Sequence, residues 1–195
     1  MKIKVCGITR LEDAAMVTEL GASIVGVVLD ELSPRHASHN TIREIAEAGI
    51  TVAGVYTSEQ TVLSSPLFED YVQLHFDHDP ELIRSIHELG RKVISVINFN
   101  GIRDLKIKYN AYREADIILV EYKKGVSSIV SQIAPLGLNV GYAGGISDRD
   151  IENIIAAKPS IIDVSSSLES SPGIKHPGKV MSFFKKIRDA MDYVS

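Results

Sequence analysis

The chain is predicted to fold as a compact (β/α)8 TIM barrel of the α/β class, one domain over residues 1–195. Three observations lead there. Short runs rich in β-branched residues recur eight times, and segments with apolar residues at helical spacing separate them. Most of the runs are apolar without strict alternation, as parallel strands covered on both faces are. An open doubly wound sheet more often uses fewer strands, and no Gly-rich dinucleotide fingerprint follows the first run.

The first strand is residues 2–5, from which Cys6-Gly7-Ile8-Thr9 turns into a helix, with Thr9 and Glu12 at capping-box spacing. Gly7 permits a backbone conformation that larger residues resist. Further strands are predicted at 23–29, 51–55, 71–74, 92–97, 116–120, 138–142 and 161–164. Before the fifth, Leu82, Ile86 and Leu89 share a helix face behind Asp79-Pro80, a cap followed by a first-turn proline. Ser147, with Asp150 three residues on, precedes the stripe Ile151, Ile154 and Ile155. The cleanest apolar face, Val180, Phe183, Phe184 and Ile187 behind Pro177, reads as core packing. Residues 58–69 are the weakest segment, because Ser64-Ser65-Pro66 interrupts any helix.

Composition narrows the function classes. Hydrophobic residues at 45% and charged residues at 24% are the balance of a soluble globular protein able to bury a large core. A net charge of −4 argues against general affinity for nucleic acid or anionic membrane. One cysteine excludes an intrachain disulfide, and no Cys/His spacing suggests structural zinc. With neither an apolar signal region nor a run long enough to span a bilayer, the expected location is the cytoplasm.

A barrel gathers all strand carboxyl ends on one rim, so residues distant in sequence converge. The rim residues are Cys6 after the first strand, Asp30 after the second, His75 after the fourth, Asn98 after the fifth and Glu121 after the sixth. Ala143-Gly144-Gly145 follows the seventh and Ser165-Ser166-Ser167 the eighth, with Arg35 in the loop after the second. Gly144 and Gly145 lead toward a capped helix, and Ser165 and Ser166 add hydroxyl and backbone donors. Together they suggest an anion pocket where this fold usually binds phosphate. Cys6 and Glu121 face one another as possible base and acid. Position alone also allows Cys6 to be a buried small hydrophobe and Glu121 a solvated carboxylate beside Lys123 and Lys124. Arg35 reads either as a bidentate carboxylate binder or as a surface charge. His75 bonds substrate or neighbouring side chains, and the grouping of His75, Asp77 and His78 raises a metal possibility without defined ligand geometry. Leu32 and Phe76 are apolar rim residues that pack on substrate or on a second subunit.

These pieces, in this order, resemble the phosphoribosylanthranilate isomerase family of tryptophan biosynthesis. The resemblance rests on Lys4-Val5-Cys6-Gly7-Ile8-Thr9, Ser33-Pro34-Arg35, Val72-Gln73-Leu74-His75, Ala143-Gly144-Gly145-Ile146, and Asp163-Val164-Ser165-Ser166 followed by Glu169 and Pro172-Gly173-Ile174-Lys175. It implies a barrel isomerase needing neither metal nor organic cofactor. The reaction would be the Amadori rearrangement of N-(5-phosphoribosyl)anthranilate to 1-(2-carboxyphenylamino)-1-deoxyribulose 5-phosphate. By the same resemblance Cys6 is the general base at sugar C2 and Arg35 holds the anthranilate carboxylate. Phosphate would lie on Gly144, Gly145, Ser165 and Ser166, with His75 and Asp163 also binding substrate. The partner is a phosphorylated small molecule, and the enzyme a monomer or homodimer.

The chain departs from the family pattern in places. The family's acid is an aspartate ending the sixth strand; here Glu121 is the nearest match, one methylene or about 1.5 Å longer. The family's Gly-Gly-Thr-Gly loop ending in Phe-Asp-Trp is replaced by the short run Tyr122-Lys123-Lys124-Gly125-Val126-Ser127-Ser128, and the chain has no tryptophan. Ser167 and Phe76 stand where the family has glycine. Two other functions fit the same residues: a paralogue that binds a phosphorylated metabolite without this chemistry, and another phosphosugar isomerase, for which Arg35 would be dispensable.

Overall fold

Valine and isoleucine dominate the eight short runs, and branched side chains pack well on pleated strands. The computed structural model describes residues 1–194, with side chains through residue 192. Its eight parallel strands are β1 (Lys2–Cys6), β2 (Ile24–Val28), β3 (Val52–Tyr56), β4 (Tyr71–Leu74), β5 (Lys92–Asn98), β6 (Ile117–Glu121), β7 (Gly141–Ala143) and β8 (Ile161–Val164). They hydrogen-bond in sequence order, and β8 closes on β1.

Successive strand residues point to opposite faces, so the barrel has two cores. Ile24, Ala53, Tyr71, Ile94, Val96, Ile117, Leu119 and Ile161 form one apolar cluster at alternate strand positions. The other cluster lies between strands and helices, where Val25, Val72 and Ile118 meet Ile42, Ile86, Phe183 and Ile187. The helices are α1 (Leu11–Glu19), α2 (His39–Glu47), α3 (Glu59–Leu63), α4 (Pro80–Glu88), α5 (Ile102–Ala111), α6 (Ser127–Ile133), α7 (Ile151–Ala156) and α8 (Pro177–Val194). An antiparallel hairpin, β9 (Glu169–Ser171) and β10 (Ile174–Lys175), links β8 to α8.

Several local readings are corrected. The Thr9–Glu12 capping box does not form: α1 begins at Leu11 with Arg10 as its uncapped N-cap. Thr9 is drawn away by a distant partner, donating its hydroxyl to the Gly173 carbonyl at 2.7 Å. The seventh strand starts at Gly141 rather than residue 138, at a point where any side chain would strike Ile161 and Leu119. Ser147 does not lead directly into α7. Its amide and hydroxyl both donate to Asp150 Oδ2, at 2.8 and 2.6 Å, closing a turn before the helix starts at Ile151. The weak 58–69 segment keeps a short helix, α3, capped by Ser58 and ended at Ser64. Residues Cys6, Asn98 and Glu121 lie inside their strands rather than in loops, with Asn98 paired opposite Glu121. Strand backbone therefore holds the chemical side chains in place.

Candidate active site

The last inward positions of the strands decide what the barrel mouth can do. Cys6, Gln73, His75, Asn98, Glu121 and Asp163, with the turns beyond them, line a cavity of about 680 Å3. Arg35, Gly144, Gly145, Ser165 and Ser166 line it too, so every site residue expected from the sequence borders one space. The possible metal grouping disperses: His75 turns to Glu121, Asp77 to Lys108, and His78 to Ser95 and the Phe76 carbonyl. Leu32 is 94% exposed, and Phe76 packs edge-on to His78; neither lines the cavity.

Cys6 is half-buried beside Gly26, its register partner on β2. A Cβ at Gly26 would fall 2.8 Å from the Cys6 sulfur and 2.8 Å from Lys4 Nζ, so only glycine leaves room for both. Lys4, fully buried two residues before Cys6, pairs with Asp163 at 2.9 Å. Burial pushes the Cys6 thiol up from its ordinary value, while the Lys4 ammonium draws it back part of the way. Opposite, Glu121 Oε2 lies 3.1 Å from His75 Nε2. Burial pushes the Glu121 carboxyl up, but His75, together with Lys123 and Lys4, outweighs it and holds the group below its ordinary value. Asp163 Oδ1 and Gln73 Oε1, both buried, have no hydrogen-bond partner in the protein. Such oxygens cost free energy until a ligand donor satisfies them.

The turns expected to cradle an anion present backbone to the cavity. Gly144 and Gly145 have φ of +95° and +62°, and side chains there would strike Tyr122 and Gly125. The short loop after β6 is thus stitched onto the turn after β7, through Val126 N–H to the Gly144 carbonyl at 2.9 Å. Among the described residues, the amides of Gly145, Ser166 and Ser167 donate to no protein acceptor. Free amides of this kind suit a phosphate. The expected dipole of a following helix is not part of the cradle, since α7 starts six residues after Gly145. Ser165 contributes differently from expectation: its hydroxyl donates to the Cys6 carbonyl at 3.0 Å.

Arg35 crosses Gly7 so closely that a Cβ there would lie 2.7 Å from Arg35 Cδ. Its Nε and Nη2 bind both oxygens of Glu169, at 2.9 and 2.7 Å. The side edge of the guanidinium is therefore fixed, leaving its end edge, with Nη1, for a ligand carboxylate. Glu169 also accepts from Lys175 Nζ at 3.0 Å, and Lys175 donates in turn to the Cys6 carbonyl at 2.6 Å. The hairpin after β8 thereby ties Arg35 to the backbone of the thiol. Sequence reasoning missed the roles of Lys4, Glu169 and Lys175. The one local signal was Lys4 sharing a strand face with Cys6 at i, i+2.

Glu169→Gln is expected to unfold about 3 kcal/mol more easily, because it leaves buried Lys175 without its counter-charge. It should also raise KM about tenfold as Arg35 loosens. Burial pushes the Glu169 carboxyl up, but Arg35 and Lys175 outweigh it and hold it below its unfolded value. Its contribution to stability is therefore complete above about pH 5, clear of the unfolded carboxyl's value, and is lost as pH falls through the folded value. Urea titrations at pH 7 and pH 3 check this: the gap between the two proteins at pH 7 should narrow at pH 3.

A barrel that gathers a thiol, a carboxyl, a guanidinium and free backbone amides around one mouth has the groups of an acid–base enzyme for an anionic small molecule. Residues 3–186 match the family model described as N-(5'phosphoribosyl)anthranilate (PRA) isomerase, and the chain belongs to that family. Proteins named N-(5'-phosphoribosyl)anthranilate isomerase are similar along nearly their whole length. That of Rubrobacter xylanophilus is 34% identical, with 93% of this chain and 96% of the relative covered. That of Acidithiobacillus ferrooxidans is 32% identical, with 96% and 98% covered. A solved structure of phosphoribosyl anthranilate isomerase in complex with reduced 1-(o-carboxyphenylamino)-1-deoxyribulose 5-phosphate matches with a TM-score of 0.83 at 30% identity. The match covers 97% of this chain and 99% of that one.

Proposed function

We propose that this chain isomerises N-(5-phosphoribosyl)anthranilate to 1-(2-carboxyphenylamino)-1-deoxyribulose 5-phosphate, a step of tryptophan biosynthesis. One observation carries the reading: in a member of this family, Cys6, Glu121, Arg35 and the free amides after β7 and β8 border a single cavity. The phosphate sits on the turns of Gly144, Gly145, Ser165 and Ser166, and the end edge of Arg35 takes the anthranilate carboxylate. Asp163 and His75 bind the sugar between them, the unpartnered Asp163 oxygen accepting from a hydroxyl. Glu121 protonates the ribose ring oxygen, and the ring opens to an iminium ion. That cation acidifies the C2 proton, so Cys6 needs only modest basicity to remove it. The enolamine then tautomerises to the ketose. These steps call on side chains of this chain alone, without metal or organic cofactor.

The expected unit, residues 1–195, acts as one barrel, as a monomer or homodimer; its last residue, Ser195, lies outside the described residues. Work in the cytoplasm is part of this reading; among the described residues no helix is long and apolar enough to cross a membrane. The test uses purified protein and freshly generated phosphoribosylanthranilate, with complementation of a tryptophan auxotroph alongside. Turnover is the expected result. Tight binding without turnover would instead mark a non-catalytic paralogue, and turnover unaffected by loss of Arg35 would point to another phosphosugar.

A further inference from the structure

The active-site floor holds a charged group that the isomerisation steps above do not use. Lys4 is completely buried, yet it carries the ammonium end of an ion pair with Asp163 at 2.9 Å. Strand alternation puts Lys4 and Cys6 on the same face of β1. The register of the barrel sets Cys6 beside Gly26 on one side and Lys4 beside Asp163 on the other. Because Gly26 has no side chain, the ammonium and the sulfur close in on the same vacant spot, each 2.8 Å from where a Cβ would be.

We propose that Lys4 is a positioning residue for the proposed base, its buried ammonium stabilising the Cys6 thiolate, with Asp163 as the counter-ion that keeps Lys4 charged when the thiol is protonated. The proposal deepens the function given above and rests on Cys6 being the base. Its chemistry is a sharing of one cation between two anions. With Cys6 protonated, the ammonium balances Asp163. Once Cys6 is a thiolate the same ammonium serves both, and the proton taken from the substrate restores the first state. Other charges also face the sulfur. Lys175 from β10 and Arg35 from the loop after β2 favour the thiolate, and Asp163 from β8 opposes it. Glu169 engages both Lys175 and Arg35, so Lys4 is the cation on that list not already committed to Glu169. Burial pulls the Lys4 ammonium down, but Asp163 and Cys6 outweigh it and hold it above its ordinary value.

A mere staple between β1 and β8 would use the same ion pair, so the test must read the sulfur. Cys6 is the only cysteine in the chain, and its alkylation by iodoacetamide therefore reports this thiolate without interference. Alkylation is followed at pH 8 without substrate on the full chain, with circular dichroism confirming the fold. Lys4→Met is expected to react at least about tenfold more slowly than the parent protein, one pH unit's worth of lost thiolate. Asp163→Asn should react faster than the parent, because the thiolate becomes the anion left to balance the buried ammonium. Equal alkylation rates for folded Lys4→Met and the parent overturn the proposal. Where Lys4→Met does not fold, Asp163→Asn decides, and a rate equal to or below the parent's overturns it. Failure of the isomerase reading is seen separately, as absence of turnover by the parent protein, whatever the alkylation rates.

Discussion

Cys6→Ala is expected to lower kcat by about 10²–10⁴-fold, the usual worth of a positioned general base, while substrate still binds. The separation is built into how Cys6 is used. Its carbonyl, not its side chain, accepts from Lys175 at 2.6 Å and from Ser165 at 3.0 Å. Removing the sulfur therefore leaves intact the chain of contacts that runs through Lys175 and Glu169 to Arg35. The amides of Gly145, Ser166 and Ser167 lie in the turns after β7 and β8 and are equally untouched. Losing a half-buried sulfur also costs little stability next to a core truncation. Steady-state kinetics, with equilibrium binding of a non-reacting product analogue, check both halves. Full turnover in the alanine variant would remove the thiol from the chemistry. Lost binding would mean that the sulfur props up the cavity instead.

What could be read from the sequence divides by distance along the chain. The eight strands were legible because each is a local run of branched apolar residues, and strand order in a parallel barrel follows sequence order. The rim residues were legible because a strand's carboxyl end needs no knowledge of its neighbours. Features that depend on partners far away were not. Thr9 carries a local capping signal, but Gly173, 164 residues later, takes its hydroxyl. Lys4 looks like an ordinary strand lysine until Asp163, 159 residues away, is brought beside it. Arg35 could be assigned to a carboxylate, but its own Glu169, 134 residues on, holds one edge of the fork. Glycines show the same limit. Gly7 and Gly145 are readable as turns, whereas Gly26 matters because two side chains from another strand need its space.

The second large effect is expected at Glu121, where Glu121→Gln should reduce kcat by about 10²–10⁴-fold and also change the shape of the pH dependence. Glutamine keeps the length and still meets the His75 ring 3.1 Å away, so substrate positioning and stability are preserved. What it lacks is a proton to give. The two proposed catalytic groups are displaced in opposite directions: burial carries the Cys6 thiol up, while His75 with Lys123 and Lys4 carries the Glu121 carboxyl down against burial. A protonated acid beside a deprotonated base is then a minority form of the free enzyme. Between the two pKa values each rise in pH makes more thiolate but removes acid protons in proportion, so kcat/KM of the parent is flat there. Without a titrating acid nothing offsets the gain in thiolate. The residual kcat/KM of Glu121→Gln should therefore climb about tenfold per pH unit across that window until the thiol itself titrates. Glu121→Asp keeps a proton to donate but draws the carboxyl back by about 1.5 Å, away from His75. It should therefore retain the parent's flat region at a rate between those of the parent and the glutamine variant. Profiles of all three proteins from pH 5 to pH 10 decide the matter. A flat, fully active glutamine variant would show that the ring-opening proton comes from elsewhere.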